Sequence, residues 1–277
     1  MTRIIHRNGL VASVSGHGEP LLLIHGLGSS RGTWRTIIDQ LSANYETIAV
    51  DLIGHGDSDW PKPPPKAMSA YDHAVTLEPL IKEFGGGDMH VVGSSMGGWV
   101  ALELAANGRA KSVTTFCPAG LEYEPWVTRS DLLVFRKRLA DLFGPVMPPA
   151  VGLVSRIPYL RDLLIGDATA NFDTLDKNVL PEHAVAMRRA AGFYASHDGM
   201  LNVLFNRSDE IEPEVPVSIV WGLQDDLLRP ERQRRAAAPP HAKWIVLDQC
   251  AHVPMWDQPE RSIQIIGETT ARAQGAK

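Results

Sequence analysis

Around Ser95 the chain reads Val91-Val92-Gly93-Ser94-Ser95-Met96-Gly97-Gly98. An apolar segment ends there in Gly-x-Ser-x-Gly, and a helix-forming segment begins at once. A serine on such a sharp turn needs glycine on both sides, because its backbone is strained and neighbouring segments pass too close for a Cβ atom. Gly93 and Gly97 occupy those two positions. The stretch predicts a nucleophile elbow, with a strand over 89–93 before it and a helix starting at 97.

The rest of the chain alternates short apolar runs with helical patterns, which is typical of a mostly parallel sheet with helices on both faces. Asn8-Gly9 separates the first two runs and predicts an opening β-hairpin. The predicted strands are 4–7, 10–15, 21–25, 45–51, 89–93, 111–117, 215–221 and 243–248. The predicted helices outside 121–206 are 32–42, 70–84, 97–107, 230–237 and 259–272. This order predicts an α/β fold.

Strand signals disappear from about 121 to 206, where helical patterns dominate. Helices are predicted there over 130–143, 147–155, 181–195 and 200–204. Because strand-like order resumes at Val215, the segment is interpreted as a helical insertion that leaves the sheet after the strand ending at Cys117.

Composition favours a protein that acts on small molecules. The 277 residues carry a formal net charge of −5, which argues against nucleic acid or an anionic membrane as the main partner. No apolar run approaches the length of a membrane span, and the first residues lack a signal-peptide core. The two cysteines make no disulfide framework, so a cytoplasmic location is expected. Cys250 lies two residues before His252, but no CxxC spacing or metal-ligand cluster accompanies it.

Five motifs occur in the order found in one large family. They are His25-Gly26-Leu27-Gly28, the stretch 51–58, the elbow at 93–98, Trp221-Gly222-Leu223-Gln224-Asp225 and Ala251-His252-Val253-Pro254. Each motif is weak evidence alone. With all five in this order, the chain resembles an α/β-hydrolase fold protein with a helical cap over nearly its whole length. The resemblance implies a mostly parallel eight-stranded sheet with helices on both faces. It also implies a core formed by 1–120 and 207–277, with the cap at 121–206.

A serine hydroxyl is a poor nucleophile until a positioned base takes its proton. The resemblance implies that Ser95 is the nucleophile and that His252, after the last predicted strand, is its base. An imidazole that gains charge needs a carboxylate partner, and the family spacing Trp-Gly-x-x-Asp assigns this to Asp225. Asp226 is the alternative, because the proline that usually follows the acid is shifted by one residue here. Ala251 replaces the glycine that usually precedes the histidine.

The oxyanion hole is expected from the backbone N–H groups of Leu27 and Met96. The glycine-rich loop after the predicted strand 21–25 lacks the spacing of a nucleotide-binding loop, which argues against a bound nucleotide. No cofactor and no metal are expected. The substrate should lie between the sheet and the cap, and Tyr123, Trp126 and Val253 are the candidate pocket residues.

Relatives that open epoxides or displace halide carry Asp at the elbow, so Ser95 argues against both reactions. The resemblance then favours hydrolysis of a small to medium carboxylic ester or lactone through an acyl-enzyme on Ser95. One alternative is a carbon–carbon bond hydrolase or a biosynthetic tailoring enzyme with the same triad. Another is a ligand receptor that retains the triad. Under each hypothesis the partner is a small molecule, and the protein is a monomer or a homodimer.

Overall fold

An eight-stranded sheet forms the centre of the computed structural model, which describes residues 2–123, 130–144, 151, 157–176, 178–201 and 203–274. Its strands are β1 (Arg3–Arg7), β2 (Leu10–Gly16), β3 (Glu19–Ile24), β4 (Tyr45–Asp51), β5 (Met89–Ser94), β6 (Ala110–Phe116), β7 (Val217–Gly222) and β8 (Lys243–Leu247). They lie in the order β1-β2-β4-β3-β5-β6-β7-β8. The predicted fold class is therefore confirmed.

Strands β3 to β8 pair with one another in the parallel sense, and β2 pairs in the antiparallel sense with both β1 and β4. The opening hairpin turns at Asn8 and Gly9, which have φ angles of 50° and 80°. Parallel strands present their carboxyl ends at one edge of the sheet. The loops that follow β3, β5, β7 and β8 therefore meet at that edge.

Helices cover both faces of the sheet and also fill the segment between β6 and β7. They are α1 (Ile38–Leu41), α2 (Ala70–Gly85), α3 (Met96–Ala106), α4 (Ser130–Phe143), α5 (Pro158–Ile165), α6 (Val179–Arg189), α7 (Phe193–Met200), α8 (Pro254–Asp257) and α9 (Pro259–Gln274). A capping box starts α2, since the Ser69 hydroxyl accepts from the Asp72 N–H and the Asp72 carboxylate accepts from the Ser69 N–H.

The core has two layers, one on each face of the sheet. Alternate side chains of β3 separate between them: Leu22 and Ile24 pack with α2 and α3, whereas Leu21 and Leu23 pack with α9. Successive side chains of β3 point to opposite faces of the sheet, and both faces are buried. The strand is therefore apolar at every position from Leu21 to Ile24 and not at alternate ones.

The segment between β6 and β7 contacts the sheet domain through its backbone and through ion pairs. Among the described residues of this segment there are helices, turns and one isolated bridge, Glu122 to Gln233, but no strand. The Gly192 N–H donates to Gly54 O at 2.7 Å and the Met68 N–H donates to Ala195 O at 2.8 Å. Arg189 pairs with Asp57 at 2.7 Å. A cap at 121–206, distinct from a core at 1–120 and 207–277, stays a prediction.

Four helical predictions need correction. A 3-10 turn at Arg31–Trp34 and the short α1 replace the single helix expected over 32–42. Two 3-10 turns, Pro230–Arg232 and Arg235–Ala237, replace the helix expected over 230–237. Here the Arg234 N–H donates to Leu121 O at 2.6 Å, so a tertiary hydrogen bond takes the place of a helical one.

The third and fourth corrections concern α6 and α7. The single helix expected over 181–195 is divided, because α6 ends at Arg189 and α7 begins at Phe193. Met200 is the last residue of α7 and not the start of a separate helix over 200–204. The helix predicted over 147–155 falls largely outside the described residues. No helix in the described part of the chain is long and apolar enough to span a membrane.

Candidate active site

Ser95 lies on a strained turn between β5 and α3, with φ of 54° and ψ of −118°. Two glycines allow the turn to fit. A Cβ atom on Gly93 would lie 2.0 Å from Gly97 O, and one on Gly97 would lie 2.3 Å from Ile24 O, so neither position tolerates a side chain. The structure therefore has the sharp, strained turn that the sequence predicts, with glycine needed on both sides of Ser95.

Asp225 and His252 are brought together by the loops that follow β7 and β8. The Gln224 N–H donates to Cys250 O at 2.9 Å, and the Cys250 N–H donates to Gln224 Oε1 at 2.8 Å. Joined in this way, the loops place His252 Nδ1 2.8 Å from Asp225 Oδ2. Both side chains are buried.

The other carboxylate oxygen of Asp225 is held by the backbone. Oδ1 accepts from the N–H groups of Leu227 and Leu228, each at 2.8 Å. These bonds fix the carboxylate in one orientation. They leave Oδ2 for the imidazole, so Nδ1 of His252 carries the proton and Nε2 is the free ring nitrogen.

The pKa of His252 reflects two opposed effects. Burial lowers it, but the charge of Asp225 and the hydrogen bond to that carboxylate outweigh burial and raise the pKa above its usual value. An imidazole with a raised pKa accepts a proton more readily, as a general base requires.

Two other carboxylates near this edge of the sheet have different environments. Asp226 is exposed and forms an ion pair with Arg229 at 2.7 Å. Glu122 is buried, its Oε2 accepts from the Gly120 N–H at 2.8 Å, and burial raises its pKa to about 7. Neither contacts the His252 ring through a hydrogen bond within the described residues.

The loop after β3 passes close to Ser95. A Cβ atom on Gly26 would lie 3.0 Å from Ser95 Cβ, so only glycine brings the loop this near without displacement. His25 fixes the loop from below: its Nε2 accepts from the Leu52 N–H at 3.0 Å, and its Nδ1 donates to Gly26 O at 2.7 Å.

Leu27 and Met96 offer the two backbone donors expected for an oxyanion hole. Met96 is the first residue of α3, where N–H groups have no partner within the helix. Neither N–H forms a hydrogen bond to any part of the chain that the structure describes.

A small cavity of about 70 Å³ lies at this edge, between the sheet and the insertion, and Ser95 and His252 line it. Val253, one of the candidate pocket residues, lines it too. The structure does not bring Tyr123 there: its side chain is 66% exposed and its N–H donates to Arg232 O at 3.1 Å. Trp126 lies outside the described residues.

Sequence reasoning missed a charged pair in the cavity wall, Arg136 and Asp167. Arg136 lies on α4 and donates from Nη1 to both carboxylate oxygens of Asp167, at 2.7 and 2.9 Å. The signal is in the helix pattern, because Leu133, Arg136 and Ala140 share the buried face of α4. A charged residue at an apolar position of a helix marks an interaction that burial alone does not explain.

The two cysteines are fully buried, and burial raises the pKa of each thiol. Raised pKa values keep them protonated, so Cys250 has the character of a packing residue and not of a nucleophile. Cys117, Asp225 and His252 have ligand atoms within 4.8 Å of one another. The hydrogen bond between Asp225 and His252 already occupies two of the atoms that a metal ion would need.

Comparison with known proteins agrees with this architecture. A model of the alpha/beta hydrolase family matches residues 21–265. Epoxide hydrolase EphH of Mycobacterium tuberculosis is 30% identical over 207 residues, which cover 72% of this chain and 94% of that protein. Lipase 3 of a Moraxella species is 27% identical over 254 residues, covering 86% of this chain and 73% of the lipase.

Solved structures repeat the fold. A thermophilic esterase from Thermogutta terrifontis superimposes with a TM-score of 0.71 at 22% identity, covering 99% of both chains. The family match, the sheet order and the elbow at Ser95 lead to one conclusion: the chain belongs to the alpha/beta hydrolase family.

Proposed function

We propose that this hydrolase cleaves a small to medium carboxylic ester or lactone through an acyl-enzyme on Ser95. The observation that carries the proposal is the arrangement at the cavity. Ser95 lies on a strained elbow and shares the cavity with His252, whose far ring nitrogen is bonded to a buried carboxylate. Nucleophile, base and orienting acid are the parts that acyl transfer needs.

In the proposed reaction, His252 Nε2 takes the proton of the Ser95 hydroxyl as Oγ bonds to the carbonyl carbon. The Leu27 and Met96 N–H groups donate to the oxyanion that forms. The intermediate collapses, the C–O bond to the alcohol breaks, and His252 returns its proton to the leaving alkoxide. Water then attacks the acyl-enzyme with the same base, releasing the carboxylic acid and Ser95.

The epoxide hydrolases among the relatives do not favour epoxide opening by this chain. The family resemblance assigns that reaction to members with an aspartate at the elbow, and here the residue is Ser95. The lipase and the esterase among the similar proteins agree better with a serine nucleophile. The small cavity volume supports a compact acyl group.

Hydrolysis of p-nitrophenyl esters from acetate to decanoate tests the proposal. We expect turnover with a preference for short chains, and a loss of at least about 1000-fold in rate for Ser95→Ala. Thermal unfolding of both proteins controls for folding. If the wild type is folded but no faster than Ser95→Ala on every ester, the proposal is wrong. A carbon–carbon bond substrate or a receptor role then becomes the better hypothesis.

A further inference from the structure

Arg136 carries an unused hydrogen-bond donor in the wall of the cavity. Its Nε donates to Leu163 O at 3.0 Å, and its Nη1 donates to the Asp167 carboxylate. Nη2 has no acceptor among the described residues and is shielded from solvent. Leaving two N–H groups buried without an acceptor is unfavourable, so a native structure that retains them calls for an explanation.

The guanidinium is held close to the reacting groups. The Asp167 backbone oxygen accepts from the His252 N–H at 3.1 Å, and the Ala168 oxygen accepts from the Val253 N–H at 3.0 Å. The ion pair therefore ties α4 to the segment that lies directly against the loop of His252. Arg136, Asp167, His252 and Ser95 all line the same cavity.

The charges around the cavity determine which acceptor fits. Asp167 balances the charge of Arg136, and both side chains are about nine-tenths buried. His183 also lines the cavity, and burial lowers its pKa to about 4, so it is neutral at pH 7. The buried Asp225 adds a negative charge behind His252. A substrate carboxylate would meet no uncompensated positive charge here, whereas a neutral carbonyl or hydroxyl oxygen can accept the free N–H groups.

We infer that Arg136 is a specificity-determining residue, whose Nη2 donates to a second, neutral oxygen of the substrate. The preferred substrates are then oxygenated esters or lactones with a keto, hydroxyl or further ester oxygen in the acyl part, a few bonds from the scissile carbonyl. This inference rests on the proposed ester hydrolysis and specifies its substrate class.

Three methyl esters of nearly equal shape provide the test. Methyl 4-methylpentanoate is apolar, methyl 4-oxopentanoate presents a neutral oxygen, and monomethyl succinate presents a carboxylate at the same position. Hydrolysis followed by titration of the released acid yields kcat/KM for each. We expect the wild type to favour the keto ester over both others by at least about tenfold, as for a hydrogen bond to a charged donor.

Two substitutions separate the donor from the charge. Arg136→Lys keeps a cation beside Asp167 but lacks the second arm of the guanidinium, so we expect the keto-to-alkyl ratio to fall about tenfold. Asp167→Asn leaves Arg136 uncompensated, so the succinate-to-keto ratio should rise about tenfold. Arg138→Lys, at an exposed position of the same helix, is the matched control and should leave both ratios unchanged.

The inference is wrong if the wild type favours the alkyl ester or the succinate, or if Arg136→Lys changes the keto-to-alkyl ratio no more than Arg138→Lys does. A second readout separates this failure from that of ester hydrolysis. Calorimetric binding of the keto and alkyl esters to Ser95→Ala should show the same preference, and the preference should be lost in Ser95→Ala/Arg136→Lys. If no ester is hydrolysed, ester hydrolysis is refuted, and this binding comparison still decides the role of Arg136.

Discussion

The backbone of Ser95 is strained, and this strained turn is what presents the side chain at the elbow. A residue with a side chain disfavours φ of 54° with ψ of −118°, whereas glycine adopts it freely. We expect Ser95→Gly to abolish ester hydrolysis and yet to raise the free energy of unfolding by about 1 kcal/mol. Urea unfolding of Ser95→Gly and Ser95→Ala measures this. A Ser95→Gly variant that is no more stable than Ser95→Ala would contradict the expected gain from relieving strain, because glycine loses more conformational entropy on folding than alanine does.

Asp225 and Asp226 are adjacent in sequence but differ in surroundings, so one pair of variants distinguishes them. In Asp225→Asn the amide group must face either the Leu227 and Leu228 N–H groups or the His252 Nδ1–H, and one of these contacts becomes repulsive. We expect kcat to fall about 10³–10⁴-fold. Asp226→Asn at its exposed position should retain kcat within about twofold. The opposite result would assign the acid to Asp226.

At the scale of elements, Asp257 at the end of α8 joins the insertion to the loop of His252. Its carboxylate accepts from the Ala251 N–H at 2.7 Å and from the Ala170 and Asn171 N–H groups at 3.0 and 3.2 Å. We expect Asp257→Asn to lower the free energy of unfolding by about 1–3 kcal/mol, because the amide presents N–H groups to backbone donors.

The same substitution should also lower kcat/KM, since Asp257 positions the loop that carries His252. Chemical unfolding and ester hydrolysis, measured together, check both effects. The exposed Asp173 is a matched control, and Asp173→Asn should change neither quantity. A stability loss for Asp257→Asn with unchanged kcat/KM would limit Asp257 to a role in docking the insertion.

The strands and the elbow could be predicted because local patterns specify them. Leu21 to Ile24 are apolar since both faces of β3 are buried, and Gly93 is required by a contact with the backbone of Gly97, only four residues further on. The cavity wall could not be predicted in this way. Arg136 meets its partners Leu163 and Asp167 across 27 and 31 residues, and no local pattern encodes that contact.

Across the whole molecule, three buried histidines connect the loops beneath the site to the insertion. The rings of His25 and His55 lie 5.3 Å apart, and those of His55 and His73 lie 6.1 Å apart. His73 Nε2 is 2.9 Å from the Ser196 hydroxyl on α7. Burial lowers the pKa of His25 to about 4, and it lowers the pKa of both His55 and His73 to about 3.

Because of these lowered pKa values, we expect acid to lower the free energy of unfolding. Below pH of about 6.5 the unfolded chain binds protons at these histidines that the folded chain does not, so stability is lost as the pH falls toward 4. One such group contributes a slope of about 1.4 kcal/mol per pH unit.

We expect His73→Gln to reduce the pH slope of the unfolding free energy between pH 6 and 4.5 by about that amount. Urea unfolding across this range measures the slope, and His17→Gln at an exposed position should leave it unchanged. An unaltered slope in His73→Gln would show that the acid sensitivity arises from other groups. His73 would then connect the insertion to the sheet domain without making that connection depend on pH.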